Sequence, residues 1–166
     1  MEVDEYIDEV HGSLLSSGLE PTDTFVAGRS ALAGRRSDFR WRWFGSRLHT
    51  AVLVTRFEDG AGRDMLDAFL AAAVTWAVEH RGGGSLGLQS GVAAVAAVVM
   101  PDLSPQARAW ATEPHGRRFA AVAYPVAVGL GRGEVVQPKR MLIGAIFTPF
   151  LRGLVGDVLG APLATG

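Results

Sequence analysis

Hydrophobic and polar positions alternate most sharply over residues 35–57. Phe39, Trp41 and Trp43 alternate with Asp38, Arg40 and Arg42, the period-two pattern of a half-buried strand. Gly45-Ser46 supplies a two-residue turn, since glycine adopts positive φ at little cost. Residues 48–57 are β-branched and apolar and read as the return strand. Setting Phe44 opposite Arg47 places Trp43 against Leu48, Trp41 against Thr50 and Phe39 against Val52. Arg42 then meets His49 and Arg40 meets Ala51. In this register the aromatic face belongs to the core, and the other face carries Arg40, Arg42, Arg47 and His49. A slip of one residue would exchange the faces, so burial of the tryptophans is expected to fix the pairing.

The same reading extends along the chain. Val3, Ile7, Val10 and Leu14 fall at helical spacing, with acidic residues crowding the first turns and Gly18 as a stop. Residues 24–28 form a short candidate strand, and 29–37 read as a strand end or loop. A helix is expected over 63–80 on the stripe Met65, Leu66, Phe69, Leu70, Ala73, Trp76 and Ala77, ended by Gly82. Residues 82–91 are dense in glycine, which permits unusual backbone angles or a close approach to a ligand or chain. The run 92–100 is apolar throughout, as in a central strand covered on both faces. Ser104-Pro105 is a helix start, and Pro114 a stop. A strand follows over 119–130, where Pro125 demands an edge or a bulge. Gly131-Arg132-Gly133 turns into a last strand at 134–137. Thr148-Pro149 opens a final helix carrying Phe150, Leu151, Leu154, Val155 and Val158, weakened by Gly153 and Gly156.

This order predicts one α+β domain over residues 1–166. Its single, mainly antiparallel sheet would have about five to six strands, with helices packed on it. Composition agrees, with 48% hydrophobic and 20% charged residues. The net charge of −1 excludes a strongly basic nucleic-acid binder by bulk charge but leaves room for a local patch. Charge is unevenly spread. Residues 1–23 hold Glu2, Asp4, Glu5, Asp8, Glu9, Glu20 and Asp23 without a lysine or arginine, whereas 29–63 are rich in arginine. The acidic start could fold over the basic hairpin and make the asymmetry internal.

Cysteine is absent. That removes disulfides, zinc–thiolate sites, iron–sulfur clusters and thiol catalysis. The acidic N-terminal stretch lacks an apolar run and does not read as a signal peptide. Residues 82–101 approach a membrane-spanning length, but their glycines, Gln89 and Ser90 favour a buried strand. A cytoplasmic protein without a membrane span is expected. Gly83-Gly84-Ser85-Leu86-Gly87 matches G-x-S-x-G, but a helix precedes it and a strand follows, the reverse of a nucleophile elbow. The histidines show no metal-ligand spacing. Asp102 with Gln137-Pro138-Lys139 partly matches a nuclease constellation, but Gln137 is a poor metal ligand beside a carboxylate. The motifs call for no catalytic residue, cofactor or metal.

The element order resembles the type III secretion chaperone-like fold, whose small α/β members dimerise and bind peptides. It also resembles the restriction-endonuclease-like core, without the usual catalytic acids. At the level of segments, residues 39–43, Leu48-His49-Thr50 and 87–93 resemble a family of small uncharacterised prokaryotic proteins. That resemblance implies that the segments co-occur. If 88–91 enter a strand beside the hairpin, Gln89 and Ser90 would join Arg40, Arg42, Arg47 and His49 in one polar binding site. The expected function is a non-enzymatic interaction module, a homodimer or binder of a protein or peptide partner. Phosphate or nucleic-acid binding through Arg40, Arg42 and His49 is the alternative. An enzyme using His49 as acid–base is the third.

Overall fold

The computed structural model describes residues 1–82, 90–113, 115, 121–139, 141 and 145–165. The elements in chain order are α1 (Val3–Ser16), β1 (Glu20–Val26), β2 (Arg29–Arg40), β3 (Ser46–Arg56), α2 (Arg63–Glu79), β4 (Ser90–Met100), α3 (Pro105–Thr112), β5 (Ala121–Gly129), β6 (Glu134–Val136) and α4 (Thr148–Val155). After α4 the chain continues as a π-helical stretch, Gly156–Gly160, and a short α5, Ala161–Thr165. The fold is α+β, with one mixed six-stranded sheet in the order β1 to β6.

Three of the five strand pairings are antiparallel, as expected, and the two at the centre of the sheet are parallel. β1–β2, β2–β3 and β5–β6 pair antiparallel, but β3, β4 and β5 run parallel. The cause is the connections: α2 and α3 carry the chain back across the sheet, and a helical crossover returns each strand in the same direction. β4, between β3 and β5, is buried from Val92 to Met100, as an uninterrupted apolar run requires. Pro125 pairs with Ala96 on one side, and the pairing with β6 begins only at Ala127. Proline thus sits where β5 is still an edge, as expected.

Two cores lie on the two faces of the sheet. On one face α2 and α3 cover Ala33, Ala51, Leu53, Val92, Ala94 and Ala96 with Leu66, Phe69, Ala73 and Trp110. The small alanines of the sheet leave volume for these larger helix residues. On the other face α1 and the C-terminal helical run cover Leu48, Val52, Val95 and Val126 with Tyr6, Val10, Leu14, Leu151 and Val158. Residues Ala145–Thr165 are long and apolar enough to cross a membrane by length and composition alone. In this fold their Leu151, Leu154, Val155, Val158 and Leu159 are buried on the sheet.

The β2–β3 pairing corrects the sequence-based register. β2 begins at Arg29, where a strand end or loop was expected. Phe39 stands opposite Arg47 rather than Val52, and Arg40 opposite Ser46 rather than Ala51. The offset from Val52 to Arg47 is an odd number of positions, so the side chains of the two strands change face relative to each other: Phe39 now shares a face with Arg47 and His49, and Arg40 one with Leu48 and Val52. Two features of β2 favour this solution. Leu32 and Ala33 meet Val54 and Leu53 in the core. A Cβ on Gly34 would lie 2.8 Å from Leu14 Cδ2, so glycine there admits α1 to the sheet. Trp41–Trp43 then leave the strand as a 3-10 turn, closed by Phe44 and Gly45 with φ of 55° and 69°. The predicted aromatic core is therefore divided: Trp43 is buried, while Trp41 is 83% and Phe39 46% exposed.

Candidate functional site

The turn between β2 and β3 forms an exposed aromatic tip. Phe44 is 88% exposed. The rings of Phe39 and Trp41 meet edge to face at 5.3 Å. A Cβ on Gly45 would approach the Trp41 ring at 3.7 Å, so the indole lies over the turn. Trp43 anchors the tip from below by edge contacts with Phe147 and Phe150 at 5.1 and 5.2 Å. Grouped large apolar side chains in water at one apex are unusual unless they meet something.

Arginines ring this tip without forming the single face expected. Arg40 lies on the α1 side of the sheet, its guanidinium over Trp43 at 5.3 Å and Phe150 at 5.1 Å. Arg42 is exposed on the 3-10 turn. Arg47 and His49 lie on the α2 side, paired with Phe39 and Ser37. Ser90 pairs with Arg47 across the parallel ladder, so it does join Arg47 and His49. Gln89 lies outside the described residues, as does the G-x-S-x-G segment. The acidic N-terminus does not cover the tip. Glu2, Asp4, Glu5, Asp8 and Glu9 point to solvent along α1, and Asp4 meets Arg56, at the far end of β3, at 3.2 Å.

Beside the tip, a cleft of about 290 Å³ opens between the C-terminal turn of α2 and strands β1 to β3. Glu20, Arg35, Ser37 and His49 line it from the sheet, and Trp76, Ala77, His80 and Arg81 from the helix end. Arg35 donates Nη1–H to the His80 carbonyl at 2.7 Å, satisfying an acceptor left over at the helix end. The His80 ring stacks on Trp76, 4.0 Å between centroids, and the Trp76 Nε1–H reaches Thr24 Oγ1 at 3.1 Å. Arg36 has its charge met elsewhere: it grips Asp38 at 2.7 and 2.6 Å and donates to the Ser17 carbonyl. Burial, together with the charges of Arg47 and Arg81, pushes the His49 imidazole below its ordinary 6.5.

The chain matches no protein-family model, no curated protein and no solved structure. A second concavity, at the carboxyl ends of β4 and β5, brings Asp102 and Lys139 together with Arg108, Arg132 and Glu134. Arg108 there holds Glu134 in a two-point ion pair at 2.8 and 2.6 Å. Gln137, the middle of the nuclease-like pattern, instead accepts a hydrogen bond from the Tyr124 hydroxyl at 2.9 Å. Among the described residues, no three histidine or acidic side chains gather as a metal site would require.

Sequence reasoning missed Arg35, Ser37, His80 and Arg81. The first two fall in the stretch read as a strand end or loop, so no face could be assigned to them. His80 and Arg81 fall in the last turn of the expected helix, where cationic side chains suit the helix dipole and give no sign of a cleft. What could have found them is β2 itself: continuing its alternation back from Phe39 places Ser37 and Arg35 on one face.

Proposed function

We propose that this chain is a non-enzymatic interaction module that self-associates, the aromatic tip of one copy docking on the acidic outer row of α1 of another. The observation that carries this reading is the exposure of Trp41 and Phe44 beside Arg42, a combination enriched at the centres of protein interfaces. The chain supplies a complement. Glu5, Asp8, Gly12 and Leu15 follow one another on the outer face of α1 at helical spacing. Leu15 is 56% exposed, and a Cβ at Gly12 would meet nothing within 4 Å. An apolar spot bordered by carboxylates suits a tip of aromatics bordered by guanidiniums.

Within one copy the acidic start of α1 stands apart from the tip. The acidic start of α1 lies at Arg56, ten residues along β3 from Ser46 at the tip, or about 33 Å of extended strand. Two copies related by a two-fold axis would satisfy both tips at once, the commonest closed arrangement.

Sedimentation velocity over a range of concentrations tests the reading. The wild type is expected to dimerise, more tightly at low salt because part of the attraction is between exposed charges. Trp41→Ser with Phe44→Ser is expected to be monomeric and folded. Arg42→Glu and Asp8→Lys should each weaken the dimer, and mixing the two should restore it, because one contact of the mixed pair is charge-inverted and the other is native, so both attract. A wild type that stays monomeric overturns the proposal, as does a dimer indifferent to the Trp41/Phe44 variant. Monomers that bind a single-stranded oligonucleotide with steep salt dependence would replace the second copy by nucleic acid.

A further inference from the structure

The cleft at the end of α2 has the chemistry of a separate binding site. Its walls carry Arg35 and Arg81 beside His49 and Ser37, against the single carboxylate of Glu20, with Ala51, Trp76 and Ala77 as the apolar lining. Arg47 stands at its edge, its Nη1 3.4 Å from Ser37 Oγ. We propose that this cleft binds a small organic oxyanion, the phosphate or carboxylate end seated among Arg35, Ser37, His49 and Arg81 and the organic part against Trp76 and Ala77.

The donors are in place before any ligand arrives. Arg35 spends one N–H on the His80 carbonyl, and a guanidinium carries five. Ser37 receives Arg47 on its oxygen and keeps its own O–H to give. His49 makes no hydrogen bond among the described residues. It faces Ser37 across the ladder, so the imidazole and the hydroxyl look into the same space. The helix-end contacts of Arg35 and the Trp76–His80 stack fix two walls of the cleft, which lowers the ordering cost of binding. At about 290 Å³ the space suits a metabolite-sized ligand at the lower end of ligand pockets.

Electrostatics points the same way. Among the described residues, the groups that share the cleft with His49 are Glu20 of β1, Arg35 and Ser37 of β2, and His80 and Arg81 at the end of α2, with Arg47 of β3 at its edge. Three arginines outweigh one carboxylate. Burial first, and then the charges of Arg47 and Arg81, keep the empty-cleft imidazole neutral more readily than an ordinary histidine. A bound anion would reverse that field, so binding and proton uptake at His49 should be coupled.

The test follows the His49 ring by NMR in a pH titration of the full chain. Inorganic sulfate is the probe, because it does not titrate near neutrality, and chloride at matched ionic strength is the control. The proposal predicts saturable ring shifts and a His49 pKa raised by about one unit or more, with His11 on the outer face of α1 unmoved. Arg81→Gln should weaken sulfate binding about tenfold, as loss of a charged hydrogen-bond donor does. No saturable shift at His49, or an equal response in Arg81→Gln, overturns it. Methyl phosphate and acetate then separate the two classes of ligand: the one that competes with sulfate more strongly names the class. The same titration on the Trp41→Ser, Phe44→Ser variant removes the tip, so failure of self-association and failure of this site remain distinguishable.

Discussion

The hydroxyl of Tyr6 donates to the carbonyl of Leu159 at 2.7 Å, joining the first helix to the last. Both residues are buried, and burial pushes the phenol well above its ordinary 10.0, so it remains a donor throughout the working pH range. The acceptor lies in the π-helical stretch Gly156–Gly160, where the wider turn disturbs the regular pattern of helical hydrogen bonds. Tyr6→Phe keeps the ring and removes the donor, leaving a buried carbonyl to find another partner. A loss of about 1–2 kcal/mol is expected in urea unfolding, with the slope of the transition unchanged. A neutral substitution would mean that the π-helical turn satisfies Leu159 by itself.

Thr50 makes the opposite case. It is 1% exposed, on β3, and its Oγ1 has no hydrogen-bond partner among the described residues. Its face of the strand is shared with Leu48 and Val52, both in the apolar core under α1. Replacing a buried, unpaired hydroxyl by a methyl of similar shape removes a desolvation penalty. Thr50→Val is therefore expected to raise stability by about 1 kcal/mol, measured as a higher urea midpoint. A loss of stability would show that the hydroxyl is satisfied in solution.

The pattern of apolar positions carried most of the fold but little of the site, and the reason is local. α2 was legible because Leu66, Phe69, Leu70, Ala73 and Ala77 repeat at helical spacing and are buried as a stripe. β4 was legible because an apolar run from Val92 to Met100 suits only a strand covered on both faces. The start of α3 was legible because Ser104 accepts from the Ala107 N–H at 3.1 Å, as its place before Pro105 suggested. The tip was misread because alternation does not distinguish a strand from a 3-10 turn that throws its tryptophans to opposite sides. Trp43 finds Phe147 and Phe150, residues more than a hundred positions later in the chain, and no local pattern encodes that partnership. Arg40, Arg42 and His49 scattered for the same reason, since each was placed by a register that Arg29–Arg40 overrode.

The depressed His49 sets a pH dependence whose sign can be worked out. Its folded pKa lies below the ordinary 6.5 through burial and the charges of Arg47 and Arg81. As pH falls through 6.5 the unfolded chain takes up a proton that the folded chain refuses, so stability declines with falling pH until the folded value is passed. His49→Gln should remove this component, so the stability difference between variant and wild type should move in the variant's favour from about pH 7 toward pH 5. Glu134 belongs to a different window: Arg108 holds its carboxyl below 4.5, and the stability it contributes is lost only at more acid pH. Urea midpoints of the two proteins across this range check the prediction. Parallel curves would mean that His49 titrates alike in both states and that the arginine field does not reach it. Added sulfate supplies an internal check, because an anion among Arg35, Arg81 and His49 should flatten the decline in the wild type and leave His49→Gln less affected.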